Sequence, residues 1–369
     1  MELWKYKLEK KYIDIQYTGD GKVYFKTDNQ LLCLDIETGK EIWTFRHINM
    51  NFYISNGKIY IENHKDITTS LHCLDIETGK EIWVSAFNPL LDFEIAEKKI
   101  YIQDDKFIYC IDAESGKEIW KFSEERFCIE GFELVGDKIF IITDHDITGE
   151  THLKYIYSLK ADTGEEMGRF NIKTGSNLFK GVSVRHVNNK KVLVVLNQEV
   201  CPEYEERNDI LYYDEETGKE VWRFTDHLIT DPWLHDIMVV DGERVYLTGG
   251  GYLYSLDLET GKEIWKFKTY SDCDLCISNK RIYAINKSGV YCLDTETGRE
   301  IWKLISNLCD YYMPIVDGKV YVSTEDYIYC LDGETGREVW KLKLNSSSLL
   351  NLTDRKFYVK SEDYLYCLD

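Results

Sequence analysis

Several features that mark common classes of protein are missing from this chain. No apolar run approaches the ~20 residues that cross a membrane as a helix. No window of about eleven residues repeats its apolar positions at helical spacing, which excludes helical bundles and helical solenoids. There is no Gly-rich phosphate loop, no His-Glu-x-x-His and no Gly-x-Ser-x-Gly, the usual marks of nucleotide, zinc and hydrolase-elbow chemistry. Positive charge is scarce: 45 Lys and Arg stand against 65 Asp and Glu, a net charge of −20. That balance argues against nucleic acid or an anionic membrane as the partner and leaves cationic ligands open. No Pro/Gly/Ser-rich linker divides the chain, so residues 1–369 are expected to form a single domain despite their number.

What the chain has is repetition. The segment LLCLDIETGKEIW at 31–43 recurs in near copies, whose Thr/Ser-Gly glycines fall at Gly39, Gly79, Gly116, Gly164, Gly218, Gly261, Gly298 and Gly336. A period near forty fits the four-strand blade of a β-propeller or a two-helix solenoid unit. The local pattern decides for strands: Lys319-Val-Tyr-Val-Ser323, Ile328-Tyr-Cys-Leu-Asp332 and Glu338-Val-Trp-Lys-Leu342 are short, rich in β-branched and aromatic residues, and bounded by turn residues. A preceding run such as 311–316 supplies a fourth, giving antiparallel A-B-C-D blades. In the Asp-x-Glu-Thr-Gly-Lys turn between C and D, Asp and Thr bond nearby backbone N–H groups and Gly takes the left-handed conformation.

The two ends read as halves of one such turn. The last residue, Asp369, aligns with Asp332 and the second, Glu2, with Glu338. The expectation is an all-β, closed propeller in which an N-terminal D strand zips onto C-terminal A, B and C strands. Counting B-strand cores from Tyr24 to Tyr358 gives nine blades, with eight as the alternative.

The Trp-bearing turn resembles the tryptophan-docking motif of propellers of the pyrroloquinoline-quinone (PQQ) type, a superfamily that includes quinoprotein dehydrogenases and the outer-membrane assembly lipoprotein. The architecture is similar to that of WD40 propellers. By that resemblance Trp4, Trp43, Trp83, Trp120, Trp222, Trp265, Trp302 and Trp340 dock against the Gly turn of a neighbouring blade. Two departures stand out: such propellers usually have eight blades, and Met167-Gly168 replaces Ile-Trp in one blade. The resemblance fixes the fold and not the activity, since relatives include enzymes and scaffolds. A PQQ dehydrogenase would carry an adjacent-cysteine disulfide, and this chain has no Cys-Cys pair, so no cofactor is expected.

Of eleven cysteines, Cys33, Cys73, Cys110, Cys292, Cys330 and Cys367 share one C-strand position, too far apart on neighbouring blades for disulfides. They read as small core fillers in a reducing cytoplasm. Cys273 and Cys276 have redox-motif spacing, but on a strand that odd separation points them to opposite faces. The start, Met-Glu-Leu-Trp-Lys-Tyr-Lys, lacks an apolar signal core, and the expected location is the cytoplasm.

Strand alternation puts A–B and C–D turns at one end of the blades and B–C and D–A connections at the other. The long insertions, 144–153, 171–180, 198–209 and 225–234, all belong to the second set and lie in consecutive blades, four to six. They gather His145, Asp146, His152, Glu203, Arg207, Asp226, His227, Asp231, Trp233 and His235, with Arg185 and His186 on the neighbouring A strand, as candidate binding residues. The inner A strands offer a second candidate. The column opposite the B-strand aromatic includes Tyr17, Tyr53, Glu94, Glu133 and His186, with Asp92 and Asp274 two residues earlier in their strands. Asp92, Glu94, Glu133 and Asp274 would make a channel mouth acidic and suit a positively charged peptide, polyamine or metal ion. The sequence therefore predicts a monomeric, non-catalytic binding or scaffold propeller with a protein or peptide partner, a basic one by charge. The alternative is a metal-assisted hydrolase or lyase using histidines and carboxylates of the same face.

Overall fold

In the computed structural model the described residues are the strands and tight turns between Glu2 and Leu368; connecting segments such as 8–13, 174–178, 201–204 and 225–237 lie outside them, as do the side chains of 144–154 and 172–209. The described strands pair into nine four-stranded antiparallel sheets, and no described residue is helical. Eight are propeller blades made of four consecutive strands, the alternative count read from the sequence. By number they are blades one (14–46), two (50–87), three (92–122), four (128–173), five (179–224), six (238–268), seven (274–305) and eight (315–343). The remaining sheet is composite: Glu2–Lys7 pairs with Tyr364–Leu368, which continues to Lys356–Ser361 and Ser347–Thr353. The chain divides into two compact units, one of residues 1–86 and 273–369, the other of residues 87–272.

Within each unit the C–D turn is the same device. In blade one, Asp35 Oδ1 accepts from Thr38 N at 2.8 Å and Thr38 Oγ1 at 2.7 Å, and Gly39 N donates to Asp35 O at 2.9 Å. Gly39 has φ of 65°, open to Gly at little cost, and a Cβ there would lie 2.7 Å from Trp4 Cδ2. The same turn therefore requires Gly twice over, for its dihedral and for the indole lying on it. Trp4 Nε1 donates to Ile36 O at 2.8 Å, Trp43 Nε1 to Ile76 O at 3.2 Å, and Trp302 Nε1 to Gly333 O at 2.9 Å. In the second unit Trp120 and Trp222 do likewise to Ala161 O and Leu258 O, at 3.0 and 2.9 Å. A second donor often reaches the same carbonyl: the B-strand hydroxyls of Tyr24, Tyr101 and Tyr283 lie 3.3, 3.3 and 3.2 Å from Ile76 O, Ala161 O and Gly333 O. Each indole also packs against that tyrosine ring, as in Tyr24–Trp43 at 5.8 Å.

The ends of the chain join this scheme. Trp4 of the composite sheet docks on the Gly39 turn of blade one, packing with Tyr358, Val23 and Phe25. The predicted pairing of N-terminal and C-terminal strands is thus present; closure of the whole ring through it remains a proposal, tested by deletion below.

Four features depart from the sequence expectation. First, the D strands are outer edges, and the C–D register slips at the same place from blade to blade: Cys33 pairs with Trp43 but Leu34 with Glu41, leaving Ile42 as an extra residue. Ile119, Met167, Val221, Ile264, Ile301 and Val339 are bulged likewise. They face solvent (Ile42 is 45% exposed, Met167 54%), and the bulge twists the edge away from pairing with another sheet. Second, the dock that Gly168 vacates is filled by Phe170, whose Cβ lies 2.8 Å from a Cβ built on Gly218, with its ring 5.4 Å from Tyr213. Third, blade five has Leu193 in the B-strand aromatic column, and its cross-strand partner Tyr212 supplies the ring against Trp222 instead, at 5.4 Å. Fourth, Gln16 and not Tyr17 lies opposite Tyr24, because three residues separate the paired Thr18 and Lys22 where two separate Ser55 and Lys58.

Candidate functional site

The two ends of the blades are put to different use. At the C–D end the turns accept docking indoles and ion pairs: Lys22 Nζ lies 2.7 Å from Glu77 Oε1 of the next blade, and Lys99–Asp162 and Lys356–Glu37 repeat the contact. Exposed pairs of this kind contribute at most about 1 kcal/mol each, but they occupy the turn surface.

The B–C end is where blades differ. Blade three has five-residue B and C strands, Lys99–Gln103 and Ile108–Asp112. In blade four they are ten residues, Lys138–Ile147 and Thr151–Lys160, paired out to Ile147 opposite Thr151. Blade five matches, with Lys191–Val200 and Glu205–Asp214 paired out to Val200 opposite Glu205. The insertions at 144–153 and 198–209, expected as loops, are therefore mostly extended hairpins. The pairing there is a matter of backbone hydrogen bonds, which a sequence pattern does not record.

On this frame His145 stands opposite Leu153, Asp146 opposite His152, and Arg207 opposite Gln198. Arg185 and His186 lie on Phe179–Asn188, where the register slips between Val184 and His186 and makes Arg185 the extra residue of a bulge. Glu203, Asp226, His227, Asp231, Trp233 and His235 lie outside the described residues.

The inner strands bring Asp92, Glu94 and Glu133 together in the second unit. Asp92 and Glu94 alternate onto one face of Asp92–Ala96, opposite Gln103 and Tyr101, and Glu133 lies opposite Phe140 in the next blade. Glu94 Oε1 accepts a hydrogen bond from Leu134 N at 3.2 Å. Burial pushes Glu94 up from 4.5 to about 7; the Leu134 N–H opposes this, and the charges of Glu133 and Asp92 add to it. Burial also raises Asp92, against the N–H of Phe93. Asp274 belongs to the first unit, half-buried opposite Ile285. Among the described residues no three His, Cys, Asp or Glu side chains converge to hold a metal ion.

The cysteines behave as fillers: Cys33, Cys73, Cys110, Cys292, Cys330 and Cys367 are free and buried. Burial pushes the Cys110 and Cys292 thiols up to about 11, far from reactive thiolates. Cys273 is buried and accepts from Asn286 Nδ2 at 3.3 Å, while Cys276 is only half-buried on the following strand. One further group escaped the sequence reading. In blade two His72 takes a place that is Tyr in most blades, and it links Ser70 to Glu81.

Comparison with known proteins agrees with this architecture. The family model described as outer membrane protein assembly factor BamB matches residues 1–93, 49–149, 152–278, 206–305 and 286–368, nearly the whole chain. A eukaryotic initiation factor structure superposes with a TM-score of 0.65 at 12% identity, over 96% of this chain and 89% of that one. BamB from Moraxella catarrhalis gives 0.55 at 12% identity, covering 88% and 96%. A europium-containing methanol dehydrogenase gives 0.51 at 12% identity, covering 97% and 84%. At such identities the likeness is one of fold. No curated protein sequence matches the chain. By its repeats, its docking tryptophans and this match, the chain belongs to the BamB-like, PQQ-type β-propeller repeat family.

Proposed function

We propose that the protein is a binding propeller whose partner docks at the B–C end of blades four to six. The observation that carries this is the contrast in strand length: ten-residue B–C hairpins in blades four and five against five in blade three. A structural need would have lengthened the C–D turns too, yet those stay uniform and are occupied by indoles and lysines. The partner is a protein or peptide of basic character, drawn by the net charge of −20 and by Asp92, Glu94 and Glu133. The reading takes the chain as a cytoplasmic monomer without a bound quinone, consistent with the lack of a Cys-Cys pair.

The test is affinity capture from the native host with the full chain and with a variant in which residues 198–207 are replaced by a two-residue turn. An oligolysine peptide serves as a defined probe of charge, measured at low and high salt. The reading expects the shortened variant to stay folded and lose the captured partner, and expects oligolysine binding to weaken with salt. Equal capture by both chains would place the site elsewhere.

A further inference from the structure

The repeat provides its own control, because a side chain that leaves the pattern in one blade can be compared with its counterparts. In the C strand the residue before the shared Cys/Ser position is Tyr in blades three, four, six, seven and eight, with Leu32 and Leu211 in blades one and five. In blades three, four and six that ring packs on an aromatic of the preceding D strand, as Phe87–Tyr109, Phe122–Tyr157 and Phe224–Tyr254 at 5.7, 5.5 and 5.4 Å. Blade two has His72 there, with Phe45 packed edge-on at 6.2 Å. The D strand departs in the same blade. The Glu that opens it meets a cation three residues on, as in Glu220–Arg223 at 2.9 Å, Glu300–Lys303 at 3.6 Å and Glu338–Lys341 at 3.5 Å. In blade two the corresponding position is Val84, half exposed and unable to compete. Glu81 turns to His72, with 2.6 Å between Glu81 Oε2 and His72 Nδ1. On the other side of the ring, His72 Nε2 lies 2.9 Å from Ser70 Oγ.

These contacts suit one tautomer of a neutral ring. In that form Nδ1 carries the proton and donates it to the Glu81 carboxylate, and Nε2 presents its lone pair to the Ser70 hydroxyl. A hydroxyl, a base and a carboxylate that orients the base form the arrangement by which a serine is activated. The ring is buried, whereas Ser70 is half-buried and stands opposite Asn63, two pairs from the B–C turn that joins Lys58–Lys65 to Thr68–Asp75. A packing role would be met by the repeat's own Tyr and Lys.

The geometry points to Ser70 as an activated nucleophile, with His72 as its general base and Glu81 as the positioning residue, toward carboxylic esters and like electrophiles. This goes beyond the binding role and rests on a different blade, blade two. With an ester, Ser70 Oγ bonds to the acyl carbon, the acyl–oxygen bond to the alcohol breaks, and the Ser70 proton passes through His72 Nε2 to the departing alcohol. Water, deprotonated by the same nitrogen, then releases the carboxylic acid and restores the hydroxyl.

The test is labelling of the full chain with a fluorophosphonate probe, in which an O–P bond forms at Ser70 and fluoride leaves. The adduct is located by peptide mass spectrometry. The expected result is modification at Ser70, lost in Ser70→Ala and reduced about 100-fold or more in His72→Tyr, which restores the residue the other blades use and so keeps the fold. Glu81→Gln should slow labelling about tenfold, and Val84→Lys, which offers Glu81 the repeat's usual cation, should slow it as well. Absence of a Ser70 adduct on chain shown to be folded by circular dichroism would overturn the assignment. So would labelling of His72→Tyr at the rate of the parent, since the relay would then be cross-strand packing.

Discussion

The C–D turns and the B–C hairpins lie at opposite ends of the same strands and follow opposite rules. Thr38-Gly39 and Thr260-Gly261 make the same turn with the same Asp bonds, to Thr38 N and to Thr260 N at 2.8 Å each, and each receives an indole from the neighbouring sheet. The B–C strands range from five residues in blade three to ten in blades four and five. Uniformity marks the end that assembles the fold, because every turn must meet the same docking indole. Variation marks the end free of that constraint, where a partner can be accommodated.

The contrast is broken most severely by removing a dock at the chain ends. Deleting residues 1–9 takes away Trp4 and bares the Tyr364–Leu368 edge, so the shortened protein is expected to aggregate or melt far earlier. A circular permutant joining 369 to 2 and opened at the Gly261 turn should stay folded. A deletion variant as stable as the parent would show that the composite sheet closes nothing.

Next in size are the individual docks. Burying an indole of about 150–250 Å² is worth roughly 4–6 kcal/mol before entropy, so Trp222→Ala should lower stability by about 3–5 kcal/mol in denaturant titration. Phe170→Ala should cost about 1 kcal/mol less, because Phe170 lacks the N–H that Trp222 gives to Leu258 O. Amide exchange should also be faster in the blade-four D strand, Glu166–Lys173, than in the matching Glu300–Ile305 of blade seven. Equal protection in those two strands would show the substitute dock to be as strong as the original.

A smaller effect comes from Glu94. Its folded value of about 7 lies above the unfolded 4.5, so the folded state holds the proton more tightly, and stability is lost as pH rises from about 4.5 through about 7. Glu94→Gln should therefore come closest to the parent at about pH 4 and below, and gain on it by about 1–3 kcal/mol near about pH 8. A constant difference between the two, by melting across that range, would show that Glu94 is ordinarily ionised.

Much of this frame was legible in the chain. The Thr-Gly spacing, the Trp column and the half-turns at Glu2 and Asp369 announced the blades and the pairing of the ends, because these residues meet steric demands that admit few substitutes. The bulge at Ile42 was hidden, since an exposed Ile beside a docked Trp looks like ordinary alternation shifted by one. The repairs at Phe170 and Tyr212 were hidden because compensation crosses from one strand to another while sequence columns run along them. The hairpins beyond Asp144 and Gln198 continue the backbone pairing of their blades, and composition does not record backbone pairing. For the candidate site the chain showed where residues gather; Arg185 as a bulge and the Glu94–Leu134 bond required register and distance.

The smallest expected change in stability belongs to the decisive measurement. Replacing residues 198–207 by a two-residue turn alters a hairpin tip, and loop length is a weak entropic term, so the melting temperature should shift by only a few degrees. Compared side by side with Gly261→Val, which drives a side chain into Trp222, the two variants separate frame from function. The account predicts that the shortened hairpin melts near the parent and captures no partner, while the partner bound by the parent is still retained by whatever fraction of Gly261→Val remains folded. Partner capture that survives hairpin shortening and vanishes from folded Gly261→Val would contradict it.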